Sequence, residues 1–165
     1  MSRLLRRISK SLVSLIWGDE EPVLDDNQIQ LIRNSWEKVE KGDLQETGLV
    51  VFKRLFEIAP YLRDRFPFGH NPESKGLRTH ALGVMETVGV AVKNLDNPVI
   101  LKNKLLELGQ FHKPFGLTDT DYQNVGAAIL WTLAAGLGED FTPETKDAWG
   151  AAYGYIQKTM EEGSQ

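Results

Sequence analysis

Helix-capping residues and prolines divide the chain from Leu24 onward into short amphipathic segments. These predicted helix boundaries constrain the fold more than any other feature. The three-residue spacing of a capping box occurs at Asp25–Gln28, Asp43–Glu46 and Thr118–Asp121. A capping residue precedes a proline suited to the first helical position at Asn71–Pro72, Asn97–Pro98 and Thr142–Pro143. No strand-like alternation stands out between these points. The sequence therefore predicts an all-α fold of about seven helices joined by short loops.

Length and composition favour a single globular domain. The 165 residues can bury a sizeable core, and the domain is expected at 24–162 with a short tail at 163–165. The absence of cysteine excludes disulfides, thiolate metal sites and a cysteine nucleophile. A net charge of −4 argues against general nucleic-acid binding. No apolar run approaches the ~18–20 residues that a membrane-spanning helix needs.

Residues 1–23 form a leader and linker whose charge differs from that of the rest of the chain. The first eighteen residues carry four basic side chains and no acidic one, so the remainder carries −8 when the whole chain carries −4. Within residues 3–16, apolar positions recur at helical spacing, which predicts a basic amphipathic helix able to lie on a membrane surface. A mitochondrial presequence and a disordered tail are the other readings. Without cysteine or a secretory signal, the expected location is cytoplasmic, peripheral on a membrane if the leader binds there.

Two of the three histidines lie on apolar helical stripes. His80 falls between Leu77 and Val84 at helical spacing, and His112 follows Leu108 by one turn. Either histidine alone could be a core residue satisfied by backbone or water. Two imidazoles directed into one apolar space, with no acidic residue on either stripe, suit haem, which needs an imidazole on iron and apolar walls. A structural zinc site fits less well, because it usually requires four ligands that include thiolates.

Several stretches, in the right order, resemble the globin family. LGQFHKPFGL resembles the proximal-histidine region, and LRTHALGVMETV places a distal histidine with a valine four residues later. RLFEIAPYLRDRF resembles the second and third helices, and FTPETKDAWGAAYGYI resembles the start of the last helix. The resemblance covers about Leu24 to Met160 and is closest to neuroglobins and their relative globin X. It implies the globin fold, a three-over-three helical sandwich, with haem b (iron protoporphyrin IX) as cofactor.

Positions in this chain that match the family pattern imply a set of haem contacts. His112 is then the proximal iron ligand and His80 the distal residue, with Phe66 stacked on the haem face. The distal pocket is walled by Phe52 and Val84, while the proximal side and rear are lined by Leu117, Tyr122, Val125 and Ile129. Phe68 stands where neuroglobins often have tyrosine. The second ring nitrogen of His112 is expected to donate to the carbonyl of Leu108, which would fix the tautomer.

The chain also departs from the family pattern where haem propionates are bound. Neuroglobins often place a lysine three residues after the distal histidine, and this chain has Gly83 there. Substitute partners for the propionates could come from Arg65, His70, Arg78 or Lys113. The cysteine pair that some neuroglobins use for redox control is absent.

The resemblance implies a protein that binds oxygen and other small diatomic gases, as in oxygen transport. His80 is expected to ligate the iron when no gas is bound, which gives a hexacoordinate bis-histidine haem. The alternative is an electron-transfer or signalling haem protein with an unknown reductase partner and nitric oxide or nitrite chemistry. No residue set dedicated to substrate turnover is visible, so an enzyme is not expected beyond such incidental reactions. A haem-free helical interaction module is the rival from a different class.

Overall fold

The computed structural model describes residues 24–165, and all regular structure in that range is helical. The six α-helices are α1 (Asp26–Glu40), α2 (Leu44–Ile58), α3 (Lys75–Lys93), α4 (Pro98–His112), α5 (Asp119–Leu137) and α6 (Pro143–Gly163). Three short 3₁₀ helices lie at Pro60–Arg65, Lys113–Phe115 and Gly138–Asp140. The expected all-α fold is confirmed for this part of the chain. The predicted amphipathic leader and linker, residues 1–23, lie outside the described residues.

Capping side chains begin most of these helices where the sequence predicted them. Asp25 and Gln28 form a complete capping box at the start of α1. Thr118 and Asp121 form a second box before α5. Each box satisfies backbone N–H groups that have no partner inside the helix, so the start of the helix is fixed locally.

The predicted start of α3 at Asn71–Pro72 is wrong. Helix α3 begins three residues later, because the side chain of Ser74 accepts the N–H of Leu77 at 3.0 Å and acts as the cap. The Asn71 side chain instead accepts the N–H of Glu73 at 3.1 Å, which stabilises a turn. Asn97 does precede α4, but its side chain makes no capping hydrogen bond.

The helices that carry the two histidines are held by different neighbours. Helix α3 packs against α2, which also packs against α5, while α4 packs against α6. Helix α1 closes the core against α6, where Trp36 and Trp149 lie 6.1 Å apart and Trp149 donates a buried hydrogen bond to Ser35 at 2.8 Å. None of the helices described in residues 24–165 is both long and apolar enough to cross a membrane.

Candidate functional site

His80 lies half-buried on α3 among three aromatic rings. Its ring centroid is 5.3 Å from that of Phe52, 5.4 Å from that of Phe66 and 6.2 Å from that of Phe68. Within residues 24–165, the imidazole takes part in no hydrogen bond. His80 is therefore not a core histidine satisfied by a described polar partner, and its nitrogens are free for another role.

The three phenylalanines reach His80 from two segments. Phe52 lies on α2 and is 4% exposed. Phe66 and Phe68 follow the 3₁₀ helix Pro60–Arg65, and their rings stack at 5.6 Å with an interplanar angle of 29°. A Cβ on Gly76 would lie 2.6 Å from the Phe68 ring, so the glycine leaves room for that ring beside α3. This arrangement forms an aromatic wall around one side of His80.

His112 ends α4, and its ring is oriented by the backbone of its own helix. The Nδ1 atom lies 2.8 Å from the carbonyl oxygen of Leu108, which confirms the predicted hydrogen bond. Because a carbonyl oxygen only accepts, Nδ1 is the donor of this hydrogen bond, and Nε2 takes no part in it. A ring held in this orientation leaves Nε2 available to ligate a metal ion.

Two exposed phenylalanines flank His112, and the sequence analysis did not single them out. Phe111 is 69% exposed and its ring lies 5.5 Å from that of His112; Phe115 is 53% exposed and lies 6.0 Å away. Phe111 directly precedes His112 on α4, and Phe115 ends the 3₁₀ helix Lys113–Phe115 that follows it. In the sequence, the one signal for this pair was the aromatic residue directly before His112.

The pKa of His80 depends on burial and on His112 across the site. Burial lowers the pKa of His80 below its ordinary value, and the charge of His112 lowers the pKa further. Both effects favour the uncharged imidazole, which is the form that binds a metal. The arrangement can therefore present an uncharged His80 imidazole and the oriented ring of His112 from different helices to one bound group.

The remaining predicted contacts lie in or against the core. Tyr122 and Ile129 are buried on α5, and the other members are half-buried and packed against the core: Val84, Leu108, Leu117 and Val125. The Tyr122 hydroxyl is buried without a hydrogen-bond partner among the described residues. That these side chains line a haem pocket stays a prediction.

All four candidate propionate partners are engaged with other groups of the chain. Arg78 pairs with Glu46 and Glu73, and His70 pairs with Asp64 at 2.6 Å. Lys113 donates to the carbonyl of Gln165, while Arg65 donates to the carbonyl of Phe115 at 2.7 Å. The choice among them therefore stays open.

Sequence reasoning missed a buried carboxylate near the site. Asp121 is 2% exposed and accepts the hydroxyl of Tyr61 at 2.7 Å. The sequence identified Asp121 only as a capping-box partner, because that role depends on its spacing of three residues from Thr118. Its second partner is 60 residues away, and no local pattern connects the two.

This chain belongs to the globin family, whose sequence profile matches residues 49–160. It is 32% identical over 147 residues to a neuroglobin of Dissostichus mawsoni, covering 85% of this chain and 92% of that protein. It is 35% identical over 143 residues to an anaerobic nitrite reductase of Physcomitrium patens, covering 80% and 77%. Among solved structures, a hexacoordinated haem protein from an anhydrobiotic tardigrade matches with a TM-score of 0.78 at 21% identity, covering 86% and 95%.

Membership in the family implies haem binding, and the residues present fit that group. Nε2 of His112 is free to ligate, and His80 sits among aromatic rings without a polar partner. In the described range, no cluster of three or more histidine, cysteine or acidic side chains could hold a metal ion by itself. A donor set of two imidazoles suits an iron whose other ligands come from a porphyrin.

Proposed function

We propose that this chain binds haem b through His112 and reversibly binds oxygen and other diatomic gases, with His80 as the sixth iron ligand in the absence of gas. The observation that carries the proposal is the state of the two imidazoles. The ring of His112 is oriented by Leu108 so that Nε2 is free, and His80 has no polar partner among the described residues. Haem, when bound, supplies an iron centre that binds small ligands and transfers single electrons.

The two histidines would have different tasks at this centre. His112 holds the iron from the proximal side, and its hydrogen bond to Leu108 strengthens the donor nitrogen. His80 occupies the distal side and must leave before a gas can bind. Once displaced, its imidazole can donate a hydrogen bond to a gaseous ligand and so retain it. Phe52, Phe66 and Phe68 exclude water around this imidazole.

Distal ligation by His80 would control the apparent affinity for gas. If the form with His80 displaced is ~1% populated, the apparent affinity falls ~100-fold below its intrinsic value. The similarity to neuroglobins supports this state, and the hexacoordinated haem protein of the tardigrade shares the fold. Slow, low-affinity binding would follow from the protein itself and needs no regulator.

The absorption spectrum of the reduced, oxygen-free protein tests the proposal. We expect two sharp visible bands, the signature of low-spin iron with two histidine ligands. His80→Leu should give one broad band and faster carbon monoxide binding, because the sixth position is then open. Thr79→Leu is the control, since Thr79 precedes His80 on the same helix and its side chain is exposed.

Each outcome has a definite meaning. A single broad band in the unmodified protein would show that His80 does not ligate, and the protein would be a five-coordinate oxygen carrier. Weak haem retention is expected for His112→Leu, and full retention in that variant would refute the role of His112. If the unmodified protein takes up no added haemin, the cofactor proposal fails and a haem-free helical module remains.

A redox function is the second candidate, and a specific observation favours it. A relative that is 35% identical is named an anaerobic nitrite reductase. The same pair of imidazoles would keep the iron coordinated alike in both oxidation states, which suits electron transfer from a reductase partner. Adding nitrite to the reduced protein without oxygen tests this function, and nitric oxide should form faster in His80→Leu than in the unmodified chain.

A further inference from the structure

Asp121 is the one charged residue buried in the part of the chain that the structure describes, at 2% exposed. It lies in the first turn of α5, and it does more than complete the capping box with Thr118. Tyr61 donates its hydroxyl to Oδ1 at 2.7 Å, while the backbone N–H of Thr118 donates to Oδ2 at 2.9 Å. Nη2 of Arg65 lies 3.7 Å from Oδ2.

These contacts keep the carboxylate ionised inside the protein. Burial by itself would raise the pKa of Asp121, but the hydrogen bonds from Thr118 and Tyr61 and the charge of Arg65 outweigh it, so the pKa lies below its ordinary value. An ionised acceptor makes stronger hydrogen bonds than a neutral one. The cluster is therefore a firm connection between the 3₁₀ helix Pro60–Arg65 and the start of α5.

Arg65 extends the connection to the segment that follows His112. Its Nη1 donates to the carbonyl oxygen of Phe115 at 2.7 Å. The ring of Phe115 lies 6.0 Å from that of His112. On the other side, Arg65 directly precedes Phe66, whose ring lies 5.4 Å from that of His80. The Arg65 side chain thus connects the segment beside His80 to the segment beside His112.

We propose that Tyr61, Arg65 and Asp121, which we name the cross-site clamp, are positioning residues that set how readily His80 leaves the iron. The proposal rests on the proposed function. Displacing His80 requires the rings around it to move. The clamp fixes the 3₁₀ helix at two points, so Phe66 is held against the imidazole. It also holds this wall to the Phe115 segment, so the site resists opening and haem loss.

Variants that break the clamp without touching the helix cap give the cleanest test. Arg65→Gln removes the charge facing Asp121, and Tyr61→Phe removes one donor from a side chain that is 49% exposed. Both leave the capping box between Thr118 and Asp121 intact. Two independent variants keep the test informative if one of them folds poorly.

The chain offers a matched control. Arg33 likewise contacts one backbone carbonyl and one carboxylate, those of Lys93 and Asp96, but it lies on α1 away from both histidines. Arg33→Gln therefore removes the same kinds of contact at a comparably exposed side chain. Any general loosening of the fold should appear equally in this control.

The first measurement is the rate at which carbon monoxide replaces His80 in the reduced full-length protein. We expect an increase of about five-fold in Arg65→Gln and less in Tyr61→Phe, because Arg65 contacts both Phe115 and Asp121, whereas Tyr61 contacts only Asp121 within the clamp. Arg65→Lys keeps the charge but loses the two-pronged guanidinium donor. Its rate should lie between those of Arg65→Gln and the unmodified chain. The proposal is overturned if the clamp variants bind carbon monoxide at the rate of the unmodified chain. It is also overturned if Arg33→Gln accelerates binding as much as Arg65→Gln does.

A second measurement separates this proposal from the proposed function. Hydrogen exchange of the backbone at residues 113–117 and the rate of haemin transfer to a scavenging apoprotein can be compared among the variants whether or not His80 ligates the iron. If the unmodified protein proves five-coordinate, the proposed distal ligation fails, and the clamp is judged by these two rates alone. Unchanged exchange and unchanged haemin loss in Arg65→Gln would then refute the clamp.

Discussion

A Cβ atom on Gly48 would lie only 2.5 Å from the carbonyl oxygen of Ala81, so the backbones of α2 and α3 touch beside His80. Gly48 is buried, and a carbonyl of the facing helix cannot rotate away as a side chain could. The crossing therefore depends on glycine, and it fixes how close Phe52 on α2 comes to His80 on α3.

Gly48→Ala should push α3 away from α2 and lower the free energy of unfolding by about 1–3 kcal/mol. Gly150→Ala is the control, since Gly150 is exposed on α6 and an added Cβ there meets nothing within 4 Å. That control should gain roughly 0.5–1 kcal/mol from the better helix former. Urea unfolding followed by tryptophan fluorescence measures both. Equal stability of the two variants would contradict the close crossing.

Removal of the Tyr122 hydroxyl and removal of the Tyr153 hydroxyl should have opposite effects on stability. Tyr153 donates to the backbone carbonyl of Tyr122 at 2.5 Å, while the Tyr122 hydroxyl is buried without a partner among the described residues. Tyr153→Phe should cost about 1 kcal/mol of the free energy of unfolding, and Tyr122→Phe should add about 1 kcal/mol. Thermal unfolding of the haem-loaded chain measures both. A destabilised Tyr122→Phe would show that its hydroxyl does have a partner.

Asp121→Asn should make the protein less stable by an amount that shrinks in acid. The pKa of Asp121 is below its ordinary value of 3.8, because hydrogen bonds and Arg65 outweigh burial. A lowered carboxyl pKa stabilises the fold fully above the unfolded value, and this contribution is lost as pH falls through the folded value. The deficit of the variant should be about 2 kcal/mol at pH 7 and decline below pH 4.

Urea unfolding at several pH values measures this deficit. Asp96→Asn is the control, because Asp96 forms an exposed ion pair with Arg33 and such pairs contribute little. Its deficit should be small at every pH. A deficit of Asp121→Asn that stays constant down to pH 3 would show that the charge of Asp121 is not what stabilises the fold.

The basic leader should attach the full-length chain weakly to anionic membranes. Vesicles rich in phosphatidylserine should co-sediment the protein at low salt and release it at high salt, since each basic residue near the surface contributes about 1 kcal/mol. Arg6→Glu with Arg7→Glu should abolish the binding, and neutral vesicles should not bind at any salt. Binding that survives both changes would indicate a contact elsewhere in the chain.

Local sequence signals predicted much of the helical framework. The boxes at Asp25–Gln28 and Thr118–Asp121 are formed as expected, because both partners lie within one turn. The same locality explains the bond from His112 to Leu108. Where two caps competed within four residues, local reasoning failed: Ser74 begins α3, and Asn71 forms a turn instead.

The sequence by itself determined the helices, the two apolar stripes that carry His80 and His112, and the orientation of His112 on its own helix. Only the tertiary structure decided which distant side chains meet. It placed Phe52 and Phe66 against His80 and joined Tyr61 to Asp121 across 60 residues. The physical reason is that caps and stripes depend on neighbours three or four positions apart, whereas these contacts depend on how helices cross, and a single glycine such as Gly48 sets such a crossing.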